Sequence, residues 1–255
     1  MTSPNEIGYF RVTDREFSRA LEASKLDEND ILGLPRNGVI VEIGSGLSQN
    51  FANETKKLRP DLKVISLDPT LGIHSSDFFT THERNKEGKL EQVSYTYFGK
   101  DSYYEGKTPE YADPPEISKT IGQERITQAN ETGNVVSGLA PEIPFASNSI
   151  DMLIDLWGPG LYLERYSDGS QLQLYLENVI RVLKQGGEAI IYPIDYYNEA
   201  LEENSIRNAN AKKEYSKILK EFVNIDIEFY EQEDSALQNK ENQIRIGIKI
   251  KKHLM

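Results

Sequence analysis

Glu42, Gly44, Ser45 and Gly46 follow a short apolar run, Val39 to Val41, and Asp68 ends a second run, Val64 to Leu67. Residue types at this spacing suit nucleoside binding. Glycines let a backbone turn tightly and approach a ligand closely. An acid at the tip of the second run can accept both hydroxyl hydrogens of a ribose. The elements needed to hold them are a strand, a glycine turn, a helix (Gln49 to Leu58, closed by Arg59-Pro60) and a second strand. That is the nucleoside-binding half of a doubly wound sheet. A dinucleotide fingerprint would place a third Gly or Ala three residues after the second glycine. Gln49 stands there, which weakens a nicotinamide reading.

Other residues offer weaker chemistry. His74 lies six residues after Asp68 and is the best-placed histidine for a general base; His82 and His253 read as solvated. No histidines have metal-ligand spacing. Asp155 and Trp157 follow a fourth apolar run, and Tyr192 and Asp195 end a fifth. Each suits orienting a substrate or plain packing. No G-x-S-x-G elbow or Walker loop occurs.

Composition bounds the rest. A chain of 255 residues can bury a full core as one domain, 1–255. Its net charge of −12 argues against a nucleic-acid backbone as the main partner. There are no cysteines, which excludes disulfides and thiolate chemistry and fits a cytoplasmic protein. No apolar run is long enough to span a membrane, and the first residues lack an apolar signal core. A homo-oligomer is compatible with the sequence.

Along the chain, 1–37 reads as a helical cover, with a helix over Asp14 to Leu26 capped by Thr13 or Asp14. Residues 70–114 form an aromatic-rich insertion, carrying Phe78, Phe79, Tyr95, Tyr97, Phe98, Tyr103, Tyr104 and Tyr111. Asp77 to Phe98 reads as a hairpin turning at Asn85 to Gly88. An insertion beyond a strand's carboxyl end suits a substrate lid. A helix is expected over Glu116 to Asn130 and strands over Asn134 to Val136 and Met152 to Leu156. A further helix, Ser170 to Leu183, should stop at Gln185-Gly186-Gly187, before a strand from Glu188 to Ile194. A last helix, Lys212 to Phe222, precedes two strands, Ile225 to Tyr230 and Gln243 to Ile250. The fold class is α/β: a Rossmann-like, doubly wound, mostly parallel seven-stranded sheet with an antiparallel last strand and a mid-chain insertion.

The E-x-G-x-G turn with Asp68 resembles the first two motifs of class I S-adenosylmethionine-dependent methyltransferases. Glu142 to Asp151 (EIPFASNSID) and Glu177 to Gly187 (ENVIRVLKQGG) resemble later segments of the branch that methylates quinones and small molecules. Four motifs in order cover somewhat under half of the chain. The resemblance implies S-adenosylmethionine as cofactor and methyl transfer to O, N or C of a small acceptor. Gly44, Ser45 and Gly46 would surround its methionine and ribose, and Glu42 would support the turn or reach its amino group. Asp68 would hold the ribose, with Pro69 beside the adenine. Leu139 stands where the family often has an acid, so backbone atoms of Leu139 and Ala140 would meet the adenine. Asp155 would face the junction of cofactor and substrate, and His74 and Asp155 are the candidate catalytic groups. Alternatives are an inactive adenosyl-ligand-binding scaffold, an aminopropyl transferase, and an NAD-dependent oxidoreductase.

Overall fold

The computed structural model describes residues 8–9, 16–45, 49–67, 78–84, 90–96, 134–136, 141–163, 170–195, 204–233 and 244–253. The strands are β1 (Gly8–Tyr9), β2 (Val39–Ile43), β3 (Lys63–Leu67), β4 (Phe78–Arg84), β5 (Leu90–Thr96), β6 (Val135–Val136), β7 (Ile150–Leu156), β8 (Leu183–Tyr192), β9 (Ile225–Glu233) and β10 (Ile244–Lys252). The helices are α1 (Phe17–Ser24), α2 (Glu28–Leu32), α3 (Asn50–Leu58), α4 (Pro159–Tyr162), α5 (Ser170–Val182) and α6 (Asn204–Leu219).

Seven strands form the main sheet in the order β6-β3-β2-β7-β8-β10-β9. β2, β3, β6, β7 and β8 pair in parallel, and β10 is antiparallel to both β8 and β9. The inner strands are apolar along their whole length because helices cover both faces. On one face Ile40, Val64, Met152 and Ile154 pack under α1 and α3, against Leu21, Phe51 and Ala52. On the other, Val41, Ile65, Leu153 and Ile191 pack under α5 and α6, against Tyr175, Val179 and Tyr215. Each fully buried aliphatic side chain contributes about 1.5–3 kcal/mol relative to exposure.

The N-terminal cover is fastened at several points. α1 begins at Phe17 with Glu16 as its N-cap and no side-chain cap, rather than near Asp14. Its carbonyl end is taken by the sheet: Tyr230 donates its hydroxyl to Ala23 O at 2.9 Å, and Lys249 Nζ donates to Lys25 O at 2.9 Å. α2 is a turn that hydrophobic periodicity does not reveal. Its capping box is complete: Asp27 accepts from Asn29 N and Asp30 N, and Asp30 accepts from Asp27 N. Arg59, at the end of α3, donates to Leu32 O and Leu34 O and pairs with Asp61. The Arg59 guanidinium holds the Asp61 carboxyl well below the usual range.

Two further boundaries differ from expectation. The glycines at 186 and 187 do not stop α5 as a loop. β8 pairs with β7 from Leu183, and the register shifts between Ile150 and Met152, so the glycines form a bulge. A Cβ on Gly187 would stand 2.9–3.1 Å from three carbonyl oxygens, so only glycine fits. α6 starts eight residues before Lys212 and stops at Leu219. The expected hairpin in the insertion is present: β4 pairs antiparallel with β5. β1 adds to β5 in parallel, giving a separate three-stranded sheet β1-β5-β4. The expected helix over Glu116 to Asn130 lies outside the described residues.

Candidate functional site

The sheet order creates a crevice. From β2 the chain builds outward through β3 to β6, then returns to the opposite side of β2 as β7. The carboxyl ends of β2 and β7 are therefore a topological switch point, the ligand position in open α/β sheets. Ile43 and Asp155 are paired there.

On the β2 side, Glu42 is buried and sits in register with Ser66 of β3. Gly44 is left-handed (φ 68°), and its amide donates to Leu67 O at 3.0 Å. Ser45 is buried directly after it. α3 follows, with Gln49 as a left-handed N-cap (φ 52°) that makes no side-chain cap. Ser66 Oγ donates to Gln49 Oε1 at 3.0 Å.

On the β7 side, the chain turns through Trp157, whose φ of 55° is unusual for a bulky residue. A conformation of that kind costs about 1–3 kcal/mol and clusters at functional sites. Trp157 N donates to Tyr192 O at 2.6 Å. Its ring meets Tyr192 edge-on at 5.2 Å, and Tyr192 stacks on Tyr230 at 6.1 Å. The three rings pack together in the core on the α1 side of the sheet, with Trp157 partly buried at its margin.

The two sides touch through glycines. A Cβ on Gly44 would stand 3.1 Å from Gly158 Cα. Gly44→Ala combines that contact with a positive φ, so it is expected to lower thermal stability by about 1–3 kcal/mol. A melting midpoint equal to wild type would contradict this close approach.

Asp155 is fully buried, and its Oδ2 accepts from Tyr175 Oη at 2.7 Å and from Gly160 N at 2.8 Å. Tyr215 Oη closes the cluster by donating to Gly160 O at 2.6 Å. Burial first, and then the Asp155 charge, hold the Tyr175 hydroxyl far above its usual range. Its side chain therefore serves the α5–α6 face, holding the turn after β7 against both helices. Asp195 is also fully buried. It pairs with Arg207 at 3.0 Å, lies 3.8 Å from Arg245 and accepts from Ile246 N at 3.1 Å. Burial raises its pKa, and Arg245 and Arg207 pull it back.

Of the residues singled out in the sequence, Glu42, Gly44, Ser45 and Asp155 converge on the switch point. Gly46, Asp68, Pro69, His74, Leu139 and Ala140 lie outside the described residues. Gln49 enters the sequence reading only as the missing third glycine, and Tyr175 and Tyr215 do not enter it. A tyrosine among Leu172, Leu176 and Val179 on the buried stripe of α5 was the available signal, since a buried hydroxyl needs a partner.

No protein-family model matches the chain, and no curated protein matches it. Solved structures share its fold. An S-adenosylmethionine-dependent methyltransferase from Methanosarcina mazei is 14% identical, covers 90% of this chain and 99% of its own, and superposes with a TM-score of 0.50. A methyltransferase of the same dependence from Aquifex aeolicus is 14% identical, with 93% and 99% covered and a TM-score of 0.44. The fold is thus the Rossmann-like fold of these enzymes. No helix among the described residues is long and apolar enough to cross a membrane.

Proposed function

We propose that the chain is an S-adenosylmethionine-dependent methyltransferase acting on a small-molecule acceptor. The observation that carries this is the switch point itself. A Glu42-x-Gly44-Ser45 turn meets the turn after β7 there through Gly44 and Gly158, and α3 follows it with a glutamine in place of the third glycine of a dinucleotide site. When bound, the cofactor supplies a methyl group activated on sulfur for in-line displacement by O, N or C. What remains for the protein is alignment in a dry cavity.

Glu42 and the Gly44-Ser45-Gly46 turn would hold the amino-acid and ribose portions, and Asp68 the ribose hydroxyls. Pro69, Leu139 and Ala140 would meet the adenine. Asp155 fixes the turn that forms the far wall, and His74 is the candidate proton acceptor. Trp157, partly buried at the β7 tip and backed by Tyr192, favours a planar or amphipathic acceptor. The β4–β5 hairpin would close over it.

Calorimetric titration with S-adenosylmethionine, S-adenosylhomocysteine and NAD tests the reading. Binding of both adenosyl ligands and not of NAD is expected. Asp68→Ala should then weaken adenosyl binding by about 1.5–3 kcal/mol, the value of hydrogen bonds to a charged acceptor. NAD binding in place of the adenosyl ligands would overturn it.

A further inference from the structure

We infer that Gln49 is the residue that recognises the carboxylate of the ligand's amino-acid tail, an inference that rests on the functional reading above. Gln49 is only 4% exposed, yet its Nε2 has no hydrogen-bond partner among the described residues. Buried amide donors are almost always satisfied, and an exception asks for a missing acceptor. The other end of the same amide is fixed, because Oε1 accepts from Ser66 Oγ at 3.0 Å. The amide therefore lies between the tip of β3 and the first turn of α3.

α3 has nine residues, and its N-cap residue, Gln49, does not cap it with its side chain. Helix N-termini carry partial positive charge and offer backbone amides to an anion. A neutral N–H donor beside that positive end favours an anionic acceptor. In an adenosyl amino acid the only anionic group is the carboxylate. Glu42, in register with Ser66 on the same side of the sheet, supplies the opposite charge for the ammonium group. The pair fits a zwitterion. The glutamine also stands where a dinucleotide fingerprint has the glycine that lets helix and strand pack closely.

Gln49→Glu inverts the site's preference for an anion. It keeps the side-chain volume and an acceptor for Ser66 Oγ, and removes only the N–H while adding a charge that repels a carboxylate. The test is a cycle of two proteins and two ligands: wild type and Gln49→Glu, with S-adenosylhomocysteine and its decarboxylated analogue. Wild type should bind S-adenosylhomocysteine about 10–100-fold more tightly than the analogue, as expected for a hydrogen bond to a charged group. In Gln49→Glu that preference should vanish while the analogue binds as well as before. Two outcomes overturn the inference alone. One is wild type that binds both ligands equally, a result that needs no variant to fold. The other is a variant that keeps the preference or loses both ligands alike at an unchanged melting temperature. Wild type that binds neither ligand defeats the functional reading, and the inference with it.

Discussion

Asp195→Ala is expected to lower the unfolding free energy by about 3–5 kcal/mol, the usual cost of removing one partner from a buried ion pair. Arg207 is 5% exposed and Arg245 is 9% exposed, and both stand beside the Asp195 carboxylate. Water cannot readily replace that charge. The substitution also removes the acceptor of Ile246 N, at the point where β10 starts along the chain leaving β8. Arg245 further donates to the Asp195 carbonyl, so this guanidinium is held by main chain as well as side chain. Much of the expected loss comes from leaving guanidinium charge buried rather than from the worth of the bond. A double variant, Asp195→Leu with Arg207→Met, should therefore be more stable than Asp195→Ala. Denaturant unfolding of the three proteins measures this. A loss under about 1 kcal/mol in Asp195→Ala, in the range of exposed pairs, would mean that the cluster is solvated.

The sequence displayed the parts of the fold that rest on local pattern. β2, the start of the glycine turn at Gly44, α3 and β3 lie where apolar runs and glycines placed them, and α5 follows its stripe of Leu172, Tyr175, Leu176 and Val179. What tertiary contact decides was hidden. The first turns of α6, Asn204 to Asn210, are mostly polar and carry no stripe. Arg207 in these turns is held by Asp195, and Tyr215 further along the helix by Gly160, residues distant in the chain. α2 is too short for periodicity, although Asp27 and Asp30 did spell a capping box. At the site, the turn was legible and the directions of its side chains were not. In a parallel strand covered on both faces, alternation disappears. Nothing in the run Met152 to Leu156 says that Asp155 faces α5 while Met152 and Ile154 face α1 and α3. For the same reason Gln49 read only as a missing glycine, and its contact with Ser66 had no signal.

Asp155→Ala should cost about 2–4 kcal/mol and separate holding from catalysis. Two donors, Tyr175 Oη and Gly160 N, lose their acceptor in a fully buried place, and each orphaned donor costs about 1–3 kcal/mol. Gly158 and Gly160 crowd the same carboxylate: a Cβ on Gly158 would meet Asp155 Oδ1, and one on Gly160 would stand 2.9 Å from Oδ2. The turn is thus moulded on this side chain, and Gly158 is the surface that Gly44 touches across the switch point. Loosening it should move the far wall of the crevice. Tyr175→Phe is the discriminating companion. It removes one donor, leaves the carboxylate in place and should cost about 0.5–1.5 kcal/mol. If Asp155 only holds the turn, adenosyl-ligand affinity should fall in both variants, in the same order as their stabilities. A catalytic Asp155 would instead leave ligand affinity nearly intact in Asp155→Ala while abolishing turnover of an identified acceptor. Calorimetry on the two variants, beside their melting curves, decides between them. The expected result is the graded loss, because Asp155 Oδ2 already accepts from two donors that belong to the fold.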